Sequence, residues 1–427
     1  MKRLFCGILL SAMISLGWAQ SGTNSPYSQY GLGQLADQSQ GFNRGMGGLA
    51  IALRNGTVVN MQNPASYSAT DSLTMIIDAG MSGEITNFKE GSTKINAHNA
   101  NFEYAVAAFR LMRRLGIGVG IVPYSNIGYN YSGVNYIGQS TTYVTDTHSG
   151  SGGLHQVFLG AGYEPLKGLS LGVNLSYLWG DYSRTISMVS NDGYVNTLTR
   201  TYAATISSYK IDFGVQYELP LNRNNSLTFG AIAGIGHKLG ADATMTVTNY
   251  NTQTGVSTAT PDSVKNGLRL PMSYGVGVAW QHNRSLTVGA DVTMQQWKSI
   301  KFPNVDDYTQ KYVLQDGLLR NRTRLTVGAD WIPSRLSRNF FNRIHYRIGA
   351  SMATPYYNIN GKKGPSEMSV SAGFGIPIIN SYNNRSVLNI SAQWAKRSAT
   401  DLITENTFRI NVGLTFNERW FAKWKVD

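Results

Sequence analysis

Between Arg284 and Trp297 the chain alternates with a period of two. Leu286, Val288, Ala290, Val292 and Met294 are apolar or small, and Ser285, Thr287, Gly289, Asp291, Thr293 and Gln295 between them are polar or small. Extended backbone places successive side chains on opposite faces, so this segment has one face suited to hydrocarbon and one suited to water. The pattern returns in Leu325, Val327, Ala329 and Trp331, in Met368, Val370, Ala372 and Phe374, and in Leu388, Ile390, Ala392 and Trp394. Phe408, Ile410, Val412, Leu414 and Phe416 repeat it near the C-terminus. Segments of about ten residues alternating in this way characterise the strands of transmembrane barrels.

Counting such segments predicts strands near residues 74–85, 98–111, 115–131, 154–165, 168–182, 203–219, 225–237, 270–282, 284–297, 319–332, 343–354, 366–378, 385–397 and 406–417. The total of about fourteen is even, as single-chain bacterial barrels require. Ala241 to Tyr250 reads as a further strand or as an extension of its neighbour. Connections near Met112 to Arg114, Pro165 to Gly168, Pro220 to Asn225 and His282 to Asn283 are short, whereas 132–153, 183–202, 238–269 and 298–318 are long and polar. Short periplasmic turns and long external loops alternate in this way in outer-membrane barrels, which puts Arg113 and Arg114 on the periplasmic side. Tyr177, Trp179, Trp280, Trp297, Trp331, Trp394, Trp420 and Trp424 fall near strand ends and read as interfacial girdles. The fold class is therefore all-β, a transmembrane antiparallel barrel in the outer membrane of a Gram-negative cell. A soluble sandwich or solenoid would share the alternation but not the strand length or the loop asymmetry.

The ends agree with export. Met1-Lys2-Arg3, an apolar run to Trp18 and small residues before Gln20 read as a signal peptide over 1–19, cut after Ala19. The only cysteine, Cys6, lies inside that leader, so the mature chain has no thiol for disulfides or metal thiolates. Only 14% of residues are charged, and no later stretch is long and apolar enough for a membrane helix, so a membrane-spanning chain of this composition has to be a closed barrel.

The formal net charge of +13 raises nucleic acid as a partner, but no basic helix, RNA-binding sheet signature or zinc spacing accompanies it. Lipid of the outer membrane is the expected surrounding. His98, His148, His155, His237, His282 and His345 show no metal spacing and no nucleophile elbow or phosphate loop occurs, so neither catalytic residues nor a metal or cofactor are assigned. Asp212, Asp291 and Asp330 are expected to face the lumen, where Arg347 and Arg409 offer ion-pair partners. The chain is read as not an enzyme.

Residues 20–72 precede the first strand and are rich in glycine, serine, asparagine and glutamine, with apolar islands at Met46, Leu49, Ile51, Leu53 and Val58-Val59. Such a segment is a tail, a periplasmic arm or a hatch folded into the lumen of the barrel at 73–420; a short periplasmic tail, 421–427, would follow. Gly45-Met46-Gly47-Gly48-Leu49-Ala50-Ile51-Ala52, then Val59-Asn60 and Asn63-Pro64-Ala65-Ser66, resembles the hatch of the FadL family of outer-membrane transporters for long-chain fatty acids and aromatic hydrocarbons. Ser25-Pro26-Tyr27-Ser28-Gln29-Tyr30-Gly31-Leu32-Gly33 and the ending Trp420-Phe421-Ala422-Lys423 are similar to those of Bacteroidetes members of that superfamily. The motif resemblance covers mainly residues 25–72. It implies a fourteen-stranded barrel with Asn63, Pro64 and Ala65 in a luminal hatch. A plain turn before a strand would use Asn63-Pro64 equally well.

The third strand contains Gly118, Gly120 and Pro123. Proline cannot donate to a ladder, and a closed barrel has no edge to hold it, so Pro123 marks a local break. The resemblance implies a lateral window into the bilayer there; a simple bulge is the alternative. Passage of small hydrophobic compounds is thus the function implied. A barrel that docks a secreted or surface protein in the envelope, without transporting anything, is the second reading.

Overall fold

A computed structural model describes residues 22–335, 337–378 and 386–419. Within them the alternating segments form fourteen barrel strands: β1 Thr74–Glu90, β2 Thr93–Met112, β3 Leu115–Tyr136, β4 Tyr143–Leu166, β5 Leu169–Ser190, β6 Thr197–Pro220 and β7 Asn225–Gly234. The second half comprises β8 Ser273–His282, β9 Leu286–Gln295, β10 Arg322–Trp331, β11 His345–Ala353, β12 Ser366–Ile378, β13 Ser386–Ser398 and β14 Thr404–Arg419. Each pairs antiparallel with its sequence neighbour, and β14 pairs with β1 from Thr74↔Arg419 to Lys89↔Thr404, which closes the sheet. Pairing the last strand with the first removes the two end edges of the sheet, as backbone polar groups in a bilayer require.

Alternation sorts the two faces as the sequence predicts. On β12, Met368 is 48% exposed and Ser369 1%. Tyr177, Trp280, Trp331 and Trp394 are exposed on the outer surface, as girdle residues should be. Trp297 is different. It is fully buried in an apolar core in the external half of the lumen, because the segment after β9 folds inward as a short 3₁₀ turn, Trp297–Ser299, instead of ending at the interface. The leader 1–19 with Cys6, the ending Trp420-Phe421-Ala422-Lys423, Trp424 and the tail 421–427 lie outside the described residues.

The external connections carry more strand than expected. β3 and β4 run on to Tyr136 and from Tyr143, so 132–153 is mostly a hairpin, and β5 and β6 extend through much of 183–202 in the same way. Ala243–Tyr250 pairs with the start of β6 and with Ser257–Val264, forming an external hairpin outside the barrel count. Phe302–Val305 and Tyr312–Gln315 make a smaller one. At the other end the turns are tight, and Arg114 takes a positive φ of 68° in the turn between β2 and β3.

Candidate functional site

The residues before β1 lie inside the barrel, against the inner faces of its strands. They enter near the external end, where Tyr27 donates its hydroxyl to the carbonyl of Ile403, and descend past Gln34–Leu35, which pairs antiparallel with β3. A four-residue helix, α1 Gly41–Arg44, follows. The chain then circles the wall. Gly41 meets β14, Met46 meets β10 and β11, Ile51 meets β7 and β8, Asn63 and Pro64 meet β5 and β6, and Tyr67 meets β3 and β4.

That circuit is possible because the wall offers glycine at the closest backbone approaches of the segment. Gly328 and Gly349 face Met46, Gly230 and Gly277 face Ile51, Gly172 and Gly214 face Asn63 to Ala65, and Gly116 and Gly118 face Tyr67. Several are direct cross-strand partners, including Gly214↔Gly172, Gly172↔Gly162 and Gly162↔Gly116. A Cβ at Gly172 would fall within contact distance of Pro64 and Ala65, so close backbone approach is what these positions require.

Polar anchors fix the register of the segment. The carboxylate of Asp291 accepts from the amides of Ala50 at 2.7 Å and Ile51 at 2.9 Å. Asn63 caps the 3₁₀ turn Pro64–Ala69 by accepting from the amide of Ala65 at 3.1 Å, and donates to the carbonyls of Ile51 at 2.7 Å and Val215 at 3.2 Å. Proline at the first position of that turn has no N–H to satisfy, so the pair Asn63-Pro64 both starts the turn and ties it to β6. Arg54 reaches Glu164 at 3.3 Å and Glu218 at 3.4 Å near the turn end of the barrel.

Above this belt the lumen holds a charged network. Arg44 pairs with Glu103 at 2.7 Å, Arg409 with Glu84 at 2.6 Å, and Arg397 with Glu367 at 2.7 Å and Glu405 at 3.3 Å. Of the luminal ion pairs expected, Arg347 does meet Asp330 at 2.9 Å, while Asp212 pairs with Lys210 and Arg409 chooses Glu84. Higher still, an apolar core gathers side chains from the inner segment, from strands β3 to β6 and from several external connections, among them Tyr27, Leu32, Leu178, Leu239, Trp297 and Tyr356. Among the described residues no group of three or more His, Cys, Asp or Glu is placed to hold a metal.

The wall is interrupted at one place on this side of the barrel. β2 and β3 pair only from Met112↔Leu115 up to Ala105↔Ile121; above that level β2 pairs with β1, and β3 pairs with β4 and, at Ser125 and Asn126, with the inner strand Gln34–Leu35. β3 shifts register by one residue between Pro123 and Ser125, and Ser125 is fully buried, so the strand bends into the lumen. Gly152 and Gly153 on β4 and Gly180 on β5, with φ of 116°, 146° and 147°, let the neighbouring strands follow that bend. Gly118 and Gly120 serve packing: Gly118 faces the ring of Tyr67, and Gly120 faces Val106 and Phe158.

Behind the break lies a cavity of about 520 Å³. Phe102, Pro123, His155 and Trp179 line its outer side; Arg322, Arg324, Glu367 and Arg409 line its depth. A second space of about 190 Å³ lies beside Met61, Tyr124 and Phe158. The charged lining was not anticipated from the sequence, since Glu84, Glu103, Glu367 and Glu405 are scattered along four strands. Their inward parity on alternating strands was the available signal.

A family model described as BamG matches residues 1–427. No curated protein matches the chain. Among solved structures, the Pseudomonas putida toluene transporter TodX aligns with a TM-score of 0.61 at 15% identity, covering 89% of this chain and 98% of that one. The Ralstonia pickettii toluene transporter TbuX aligns with a TM-score of 0.59 at 15% identity, over 87% and 96% of the two chains. A Pseudomonas aeruginosa FadL homologue aligns with a TM-score of 0.56 at 12% identity, over 90% and 98%. The architecture is thus that of FadL-type outer-membrane channels.

Proposed function

We propose that this chain, which belongs to the BamG family, lets small hydrophobic compounds cross the outer membrane through a break in its wall. The observation that carries the reading is the unpaired stretch between β2 and β3 with a cavity behind it. The toluene transporters of the same architecture support it. An apolar solute gains about 25 cal/mol for each Å² it removes from water, and the outer side of the recess, with Phe102 and Trp179, offers that burial next to the bilayer. Gly118, Gly120 and Pro123 mark the window strand, with Pro123 at the bend itself.

In this reading residues 20–72 are the hatch, 73–420 the barrel, and 421–427 a periplasmic tail after removal of the leader 1–19. Asn63, Pro64 and Ala65 hold the hatch to β5 and β6, and its displacement sets release into the periplasm. The ends of the chain support the Bacteroidetes branch of the superfamily. No catalytic step and no cofactor enter the proposal.

The second reading, a barrel that docks a protein partner in the envelope, is favoured by one feature: the external half of the lumen is filled by a buried apolar core. Uptake of labelled toluene or fatty acid by cells lacking the gene, with and without the protein restored, separates the two. Restored uptake supports passage. Equal uptake in both, together with stable co-purification of a much larger envelope protein, favours docking.

A further inference from the structure

Beyond the level of the His155 and Trp179 rings, strands β3 to β6 continue outward as a projecting sheet, widened by the hairpin Ala243–Tyr250 with Ser257–Val264. An open sheet has two edges, each with a row of unpaired N–H and C=O groups that invites another strand. These two edges are built differently. The Ser257–Val264 edge carries Pro261, which has no N–H, and Asp262, whose carboxylate accepts from the Tyr312 amide at 2.8 Å and ties a neighbouring hairpin across it. That edge is blunted.

The β3 edge above Gly128 has no such device. Asn130 to Asn135 contain neither proline nor charge, and β2, the strand that would cover them, does not pair with β3 beyond Ala105. The direction of the free groups follows from Gly128. Its N–H donates to the hydroxyl of Ser28 at 3.1 Å and its carbonyl accepts from the same hydroxyl at 3.3 Å, so both point away from β4. In an antiparallel ladder that direction repeats every second residue, which turns the N–H and C=O of Asn130, Ser132 and Val134 the same way. The chain already places one short strand on this side of β3: Gln34–Leu35 pairs with Asn126 and Ser125, and Gly33 and Gly31, with φ of 93° and 56°, then turn the chain away.

We propose that the β3 edge from Asn130 to Val134 is a docking site for an extended strand of another polypeptide, added antiparallel to β3 outside the membrane. Backbone hydrogen bonds supply the attraction, and Val134 and Tyr136, 53% and 67% exposed, supply side-chain contacts to select the guest. The inference is independent of the passage of hydrophobic compounds, which uses the break nearer the bilayer.

The test uses full-length protein in nanodiscs and a fluorescein-labelled octapeptide of alternating threonine and valine, followed by anisotropy. Saturable binding is expected, weakened about tenfold or more by Ser132→Pro, which removes one outward N–H and adds a steric block. The N–H of Ser132 is not used by β4, so the barrel should keep its heat-modifiable gel mobility. Val134→Lys, which charges the same edge, should weaken binding as well. No binding by the unmodified protein, or equal binding by both variants, overturns the proposal. Self-association that Ser132→Pro abolishes, with no peptide bound, also overturns it and makes a second copy the occupant. Toluene uptake should be unchanged in Ser132→Pro, so this inference and the passage reading fail separately.

Discussion

The lower and upper halves of the lumen are both filled, but by different constructions. In the lower half one continuous segment lies on a glycine-surfaced wall, packed through two apolar clusters, with Phe42, Met46, Leu49 and Leu53 in one and Val59, Met61 and Tyr67 in the other, and registered by Asp291, Asn63 and Arg54. In the upper half Leu178, Leu239, Trp297, Tyr356 and their neighbours form an apolar core drawn from strands β3 to β6 and from several connections. Each hydrogen-bonded anchor of that segment sets register more than stability, since a typical hydrogen bond contributes only about 0.5–1.5 kcal/mol net. Opening the upper core would expose apolar area at about 25 cal/mol per Å², with no compensating partner. In the proposed passage the lower filling, a single segment, is the part that moves as a unit, while the mouth is knitted from many elements, which leaves the side of the barrel as the way in or out.

The largest expected effect comes from removing the movable part. Deleting residues 22–71 should leave an inserted barrel, because the strands close their own hydrogen bonds, and should create a large stepwise conductance in planar bilayers. The deletion also takes Tyr27 and Leu32 out of the upper core. An unchanged conductance would mean that the upper half alone seals the lumen. Arg44→Ala comes next. It leaves Glu103 buried without its partner and should lower stability by about 3–5 kcal/mol, read as a shift in the urea midpoint of heat-modifiable mobility.

A smaller effect is expected from Gly172→Val, whose side chain has to displace Pro64 and Ala65. Overpacking of this kind costs about 1–3 kcal/mol, and it should fall on the segment and not on the wall. Trypsin should then cut at Arg44 or Arg54 while the barrel resists. Pro123→Ala should do least. It permits one more ladder bond, worth about 1 kcal/mol, while Gly152, Gly153 and Gly180 keep the bend, so a structure of the variant should still show β2 and β3 apart above Ala105. A closed wall in that variant would give proline the role assigned here to the glycines.

The same contrast decides what could be read from the sequence. Strands β8 to β14 were legible because one face meets lipid and the other meets water or small groups, which writes a period of two locally; Met368 to Phe374 is the clearest case. The outward extensions of β4 and β5 were not, since Thr145 to Ser151 leaves the bilayer and has no apolar face to alternate with. Trp297 read as a girdle residue because burial by distant connections leaves no local mark. The pairing of Arg44 with Glu103 joins residues far apart in sequence and was likewise invisible. The glycines facing the inner segment had a signal that was present but weak: glycine recurs at inward positions, as in Gly328 and Gly349, where close backbone approach is the usual reason.

The central claim, that the route is lateral, is tested most directly by blocking the break and the mouth separately. Ala100 lines the outer side of the cavity on β2, and Tyr308 sits fully exposed on an external connection. Ala100→Cys and Tyr308→Cys are made in turn, each is labelled with a bulky maleimide, and toluene uptake is measured against the unlabelled variants. The account predicts that labelling Ala100→Cys abolishes uptake and labelling Tyr308→Cys leaves it intact. Uptake that survives the block at Ala100→Cys and is lost on labelling Tyr308→Cys would contradict it.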